Sequence, residues 1–354
     1  TITYNATFNL PETIVQDDLQ TDYDYDTYGR VTSMTLTDPE TEETRITTYT
    51  YHPNTTDGSG NTILGRLATV DGPRADVSDI TEYDYDVNLN LTKITNPLGQ
   101  ETKITARDSA GRPTTIEDEN GIETDLAYDT NGWLTSATRA PGTALEAETT
   151  YAYGANGNLV EITLPNGATL SYTYDTAQRL TGVEDALGNT ITYTLDAAGN
   201  VTQEQIKDSG ANLKYTHTQA FDELSRIIES IGAASQTSAY AYDKNGNVTT
   251  FTDANTNDTD YTYDALQRLT TTTNALSGVS KLSYNTFDNV TAAEDPRSNT
   301  ATYAYNAFGD VTGETSPDRG TITYTHDKAG NITSRTDARG VVTNYTWDAL
   351  NRLT

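Results

Sequence analysis

The chain has 354 residues, a formal net charge of −29 from 51 acidic and 22 basic residues, and no cysteine. Such a surface repels phosphate backbones and anionic lipids, so nucleic-acid and membrane-surface partners are disfavoured. The lack of cysteine removes disulfides, thiolate metal sites and cysteine nucleophiles. No apolar run approaches the roughly 18 residues that a membrane-spanning helix needs.

Hydrophobic residues make up 34%, and the 24 tyrosines far outnumber Phe (5), Trp (2) and Met (1). Tyr and Thr favour strands, which predicts an all-β protein with a thin core. The chain begins without Met and breaks off at Thr354 inside a repeat, with no signal peptide before Thr1, so it is expected to be a piece of a longer polypeptide.

A repeat dominates the sequence. YTYDALQRLT, Tyr261 to Thr270, returns as YTWDALNRLT, Tyr345 to Thr354, 84 residues later. Aligning on the second aromatic gives sixteen anchors: Tyr4, Tyr25, Tyr51, Tyr85, Arg107, Tyr128, Tyr153, Tyr174, Leu195, Phe221, Tyr242, Tyr263, Tyr284, Tyr305, His326 and Trp347. The spacing is a regular 21 residues from 221 to 354, and it is longest between Tyr51 and Tyr85, at 34. Within 51–84, HPNTTDGSGN and VDGPRADVSD read as surface insertions because Gly, Pro, Asn and Asp dominate them. On this reading residues 1–354 form one repeat array.

Each unit resolves into two strands. A further aromatic commonly precedes the anchor by two positions, as Tyr261 precedes Tyr263, and the residue between is small or Thr. Period-two alternation places both aromatics on one face. Six positions after the anchor stands an aliphatic residue, such as Val31, Leu134, Leu269 or Leu353, which starts the second strand. Between them, four positions after the anchor, Gly29, Gly111, Gly132, Gly157, Gly199, Gly246, Gly309 and Gly330, together with Gly65 after the insertion, suggest a positive φ. Gln178, Ser225, Gln267, Asp288, Asn351, Phe8 and Leu89 at the same place imply turns that manage without it. The connection back to the next unit is also turn-rich, as in NPLGQ, DALGN and SPDRG.

Sixteen such hairpins supply about 32 strands and a width of roughly 150 Å. Open twisted sheets rarely pass about ten strands without curling, so a flat sheet is excluded. Closed once, that width gives a ring roughly 50 Å across, too wide to fill with side chains. The expected architecture is an antiparallel sheet that spirals around a hollow space or forms a barrel wall one layer thick.

The unit YxYDxxGrlT, seen best in YDTYGRVT (25–32), YDTNGWLT (128–135), YDKNGNVT (242–249) and YNAFGDVT (305–312), resembles the Rhs or YD (tyrosine-aspartate) repeat. Members of that family include bacterial polymorphic toxins, shell subunits of insecticidal Tc toxins and animal teneurins. The resemblance implies a hollow shell of β-hairpins, a secreted or cell-surface location and an enclosed toxin or other polypeptide cargo. The structural repeat anchors it marks are Tyr25, Asp26, Gly29, Tyr128, Asp129, Gly132, Tyr174, Asp175, Tyr242, Asp243, Gly246, Tyr263, Asp264, Tyr305, Gly309, Trp347 and Asp348. Full-length bacterial members carry a DPxG-type self-cleavage motif after the repeats. Here Asp295-Pro296-Arg297-Ser298 and Asp38-Pro39-Glu40-Thr41 are turn sequences within repeats.

Candidate chemistry is sparse. The Asp after the anchor could bind cations or act as an acid, but Asn5, Asn285 and Asn306 replace it. Asn can accept turn N–H groups and cannot serve as an acid, so the residue reads as a turn former. The Tyr rows could stack sugars, yet their presence in nearly every unit points to wall building by cross-strand pairs. Asp253, Asn255, Asn257 and Asp264 match positions 1, 3, 5 and 12 of a calcium loop, with Asp258 where its Gly belongs. No cofactor is otherwise expected. His52, His217 and His326 stand in different repeats without metal-binding spacing, and no nucleophile elbow or phosphate loop occurs. Asn200, Asn247 and Asn331 form Asn-x-Thr sequons as by-products of the repeat. The expected function is a non-enzymatic shell around a cargo. The alternative is a surface or filament-forming adhesion protein that binds glycan or associates with itself.

Overall fold

The computed structural model describes residues 1–56 and 62–354, and every regular element among them is a β-strand. Among the described residues, 31 strands belong to one antiparallel sheet, and Thr55–Thr56 pairs separately with Thr62–Ile63. The chain divides into two compact units, Thr1–Gly121 with Leu282–Thr354, and Ile122–Lys281. The DGSGN stretch of the expected insertion lies outside the described residues.

In the second unit, Asp258–Tyr263 and Leu269–Thr273 show the repeat plainly. Tyr263 lies opposite Leu269 and Thr262 opposite Thr271, so one extra residue is accommodated beside the turn. Thr259, Tyr261 and Tyr263 are half-buried on one face, whereas Asp258, Asp260 and Thr262 are exposed on the other. The first unit repeats the arrangement in Thr300–Tyr305, where Tyr303 and Tyr305 are half-buried and Thr302 and Ala304 exposed. Alternation in sequence has become alternation across a single sheet.

The wall is one layer thick in burial as well. Among the described residues only three hydrophobic side chains, Ala140, Ile322 and Ala349, are buried, and no side chain of any kind is completely enclosed. Packing therefore comes from neighbours along the sheet rather than from a second layer.

The turns explain the sequence between the strands. Asp264 N–H donates to the Arg268 carbonyl at 3.0 Å, and Gln267 N–H donates to the Asp264 carbonyl at 3.1 Å. The Asp264 carboxylate accepts the N–H groups of Leu266 and Arg268 at 2.9 and 3.0 Å. Gln267 has φ +65°. This is a type I turn followed by one left-handed residue, which produces the one-residue register shift.

One expectation needs correction. Leu89, Gln178, Ser225, Gln267, Asp288 and Asn351 all take positive φ, so these turns keep the left-handed conformation with or without Gly. In the first unit Asn9 rather than Phe8 holds it, at φ 53°. Gly65 is needed for a different reason: a Cβ there would lie 1.7 Å from the His52 carbonyl oxygen.

The connections at the opposite edge use the same chemistry. Asp185 accepts the N–H groups of Leu187 and Asn189 at 2.9 and 2.8 Å, and Gly188 has φ +79°. One edge of the sheet therefore carries the anchor turns and the other carries return turns built alike.

Candidate functional site

What the anchor does is visible only between neighbouring repeats. Tyr263 Oη donates to the carbonyl of Val248, in the preceding hairpin, at 2.8 Å. Tyr25 reaches Pro11, Tyr51 reaches Val31, Tyr174 reaches Leu159, Tyr242 reaches Ile227 and Tyr305 reaches Val290 in the same way. Trp347 does so through Nε1 to Ile332 at 2.7 Å, and Arg107 through Nη2 to Leu91. In these units the anchor is a long side chain that ends in a donor, whereas Leu195 and Phe221 hold the same place without one. Burial raises the pKa of Tyr263, with Asp243 and Tyr261 adding to the effect, so the phenol stays protonated and able to donate.

The Asp after the anchor has a partner that sequence reasoning missed. Arg268 Nε donates to Asp264 Oδ2 at 2.8 Å, and Arg30, Arg112, Arg179, Arg226 and Arg352 bind Asp26, Asp108, Asp175, Asp222 and Asp348 alike. Asn247 substitutes for Arg on Asp243 at 2.8 Å. In the unit of Tyr305 the pair is reversed, with Asn306 Nδ2 donating to Asp310 at 2.9 Å. The signal was present in the sequence as Arg or Asn four positions after the Asp. These contacts hold the carboxylates below their usual pKa range: backbone N–H donation from Arg268 leads for Asp264, and the Asn247 side chain leads for Asp243.

The Arg also couples repeats. Arg226 lies 4.5 Å from the centroid of the Tyr242 ring, and Arg30 lies 4.2 Å from that of Tyr51. Arg179 Nη1 donates to the Asp196 carbonyl at 2.9 Å. In some units that follow an Asn instead, the left-handed position carries an acceptor: Asn158 donates to Gln178 at 2.6 Å, and Asn331 to Asn351 at 2.7 Å. Asn247 binds Gln267 likewise. A bulky neighbour demands Gly, since a Cβ on Gly157 would meet Trp133 Cζ2 at 2.8 Å. Trp133 itself packs against Tyr153, with ring centroids 5.3 Å apart and planes tilted by 41°.

Within the first unit, early return turns meet late anchor turns. Arg45 pairs with Asp310 and stands 4.2 Å over the Phe308 ring. Lys328 binds Glu43 at 3.0 Å. Arg74, in the stretch expected to be a surface insertion, has a side chain only 2% exposed. It bonds Asp76 at 2.6 Å and Asp327 at 3.3 Å, and it donates to the carbonyls of Asp348 at 2.5 Å and Trp347 at 3.2 Å. That insertion is a clasp between hairpins more than 270 residues apart.

The antiparallel sheet of hairpins agrees with comparisons to known proteins. The family model of the teneurin YD-shell matches residues 15–195 and 188–354. The chain belongs to the teneurin YD-shell family. Several solved structures share the fold at low identity. The crystal structure of TcdB2-TccC3-TEV is 17% identical with a TM-score of 0.75, covering 95% of this chain and 20% of that one. TcdB2-TccC3-Cdc42 is 16% identical with a TM-score of 0.63, covering 100% and 22%. A Photorhabdus luminescens Tc holotoxin pore is 18% identical with a TM-score of 0.56, covering 95% and 18%. The chain spans about a fifth of the length of these structures. No curated protein sequence matches it.

The remaining candidates occupy ordinary places in the YD-shell repeat. Tyr25, Asp26 and Gly29 form one anchor turn, as do Tyr128, Asp129 and Gly132, and Tyr242, Asp243 and Gly246. Asp253 starts a return turn and Asp264 an anchor turn, at opposite ends of Asp258–Tyr263, so the calcium-like stretch is not a single loop. His52 contacts the Tyr83 carbonyl at 2.7 Å and His217 contacts Ser230 Oγ at 2.7 Å, in separate units. No group of three metal-ligating side chains occurs among the described residues. Asp38 of the DPET stretch accepts Thr41 Oγ1 at 2.7 Å and Glu40 N–H at 2.9 Å. The sequon amides of Asn200, Asn247 and Asn331 donate to Asp196, Asp243 and Asp327.

Proposed function

We propose that this chain is a non-enzymatic section of shell wall, secreted or at a cell surface, that separates an enclosed polypeptide such as a toxin from its surroundings. The observation that carries this reading is a sheet with two solvent-accessible sides and no enclosed side chain. A self-contained globular domain buries a core; a wall has its chemistry in continuity. Backbone pairing runs from hairpin to hairpin, and anchor side chains such as Tyr242 and Tyr263 stitch their hairpins to the ones before them.

Likeness to the TcdB2-TccC3 structures supports the wall, since it extends over nearly the whole chain. The Asp row is committed to turn N–H groups and Arg or Asn partners, which leaves it poorly placed for acid chemistry.

Protease protection tests the proposal. In the natively expressed protein, a non-repeat segment of the same polypeptide should resist a protease that cuts it rapidly after denaturation. Equal cleavage rates in native and denatured protein would overturn enclosure.

A further inference from the structure

Two anchor turns of the first unit present the same aromatic with different cover. Phe308 and Phe287 each stand three positions after an anchor, Tyr305 and Tyr284. The Phe308 ring carries the Arg45 guanidinium at 4.2 Å, and Arg45 also pairs with Asp310. Arg45 precedes its own anchor, Tyr51, by six positions; in the repeat before, that place is Leu19, which brings no charge. Phe287 instead lines a pocket of about 320 Å³ with Asn285, Tyr305, Asp18, Asp38 and Glu40. All of these residues belong to the first unit.

The pocket thus combines an aromatic ring with three carboxylates, and no residue lining it is basic. Asp18 and Glu40 are exposed, whereas Asp38 is only 6% exposed. Burial opposes ionisation of Asp38, but donation from Thr41 Oγ1 and from the N–H groups of Glu40 and Thr41 outweighs it and lowers the pKa, so the charge persists. No cationic side chain pairs with Asp38 among the described residues. A buried carboxylate in that position gains from a cation brought beside it. No group of three metal-ligating side chains occurs among the described residues, so a bare metal ion does not match the lining. A flat cation does, because it lies on a ring and bonds carboxylates with its edge.

We propose that this pocket binds a guanidinium group, the side chain of an arginine in a polypeptide, laid on Phe287 and held by Asp18, Asp38 and Glu40. Arg45 on Phe308 is the occupied precedent one repeat along the same unit. The proposal goes beyond the wall reading and does not rest on it.

A nuclear magnetic resonance titration of the 354-residue chain with N-acetyl-L-arginine amide tests it, with the uncharged citrulline counterpart as control. Arginine should give saturable amide shifts concentrated in residues 38–41 and 285–288, weakened by added salt; citrulline should give none. Asp18→Asn and Glu40→Gln should each weaken binding by up to roughly fivefold while keeping the wild-type melting transition. Phe287→Leu should weaken it further. An equal response to citrulline, shifts as large in the acidic turns of the second unit, or an affinity unchanged in both carboxylate variants would overturn the proposal.

Discussion

Tyr263 Oη donates to the Val248 carbonyl across the boundary between two repeats, at 2.8 Å. Replacing Tyr263 by Phe keeps the ring and removes only this donor, leaving a part-buried carbonyl short of a partner. The expected loss is about 1 kcal/mol, read as a lower urea midpoint with an unchanged slope. Tyr263→Trp should cost less, because Trp347 makes the equivalent bond to Ile332 at 2.7 Å.

Gly157 and Gly246 both sit at the left-handed turn position, with φ +85° and +93°. A methyl on Gly246 meets nothing within 4 Å, whereas one on Gly157 meets Trp133 at 2.8 Å. Gly246→Ala should therefore cost only backbone strain, roughly 1 kcal/mol. Gly157→Ala should cost more and should shift the near-ultraviolet signal of Trp133, while the double variant with Trp133→Leu should approach the Gly246→Ala cost.

Arg74 is the buried cation of the seam in the first unit, held by Asp76, Asp327 and two backbone carbonyls. Arg74→Ala removes the cation beside Asp327 and one donor from each of those carbonyls, at an expected cost of roughly 3 kcal/mol. Hydrogen exchange should rise both around residues 72–79 and around 345–354. Exchange rising only in the first segment would mean that the clasp does not couple them.

Asp71 and Asp310 titrate in opposite senses. Burial first, and then Asp79, raises the pKa of Asp71. A raised folded value favours the fold below the ordinary carboxylate range and loses that contribution as pH rises through it, so charged Asp71 costs stability at neutral pH. Burial opposes ionisation of Asp310, but donation from Arg45 and Asn306 outweighs it and lowers the value. Its contribution is present above the ordinary range and is lost as pH falls through the lowered value. Asp71→Asn should thus raise the melting temperature near neutral pH, with the gain vanishing below about pH 4. Asp310→Asn should lower it at neutral pH.

The fold was legible because its determinants are local. Tyr261 and Tyr263 alternate with Thr262, Asp264 opens a turn, and Leu269 restarts the strand, all within nine residues. The Asp264 to Arg268 pair was equally local and was overlooked only because Asn and a reversed Asn306 to Asp310 pair disguise it. Positive φ at Gln178 and Gln267 was obscured because Gln rarely adopts it; the acceptor role toward Asn158 and Asn247 supplies the compensation. The seam is different in kind. Arg74 lies among Gly, Pro and Asp that read as loop, and its partners other than Asp76 stand more than 250 residues away, where no periodicity points.

The central claim is that these hairpins form a wall around a polypeptide, and a cryo-EM map of the expressed protein tests it most directly. The account predicts density for a single-layer sheet bounding a lumen with polypeptide inside. A solid rod, with side chains filling the interior and no lumen, would contradict it.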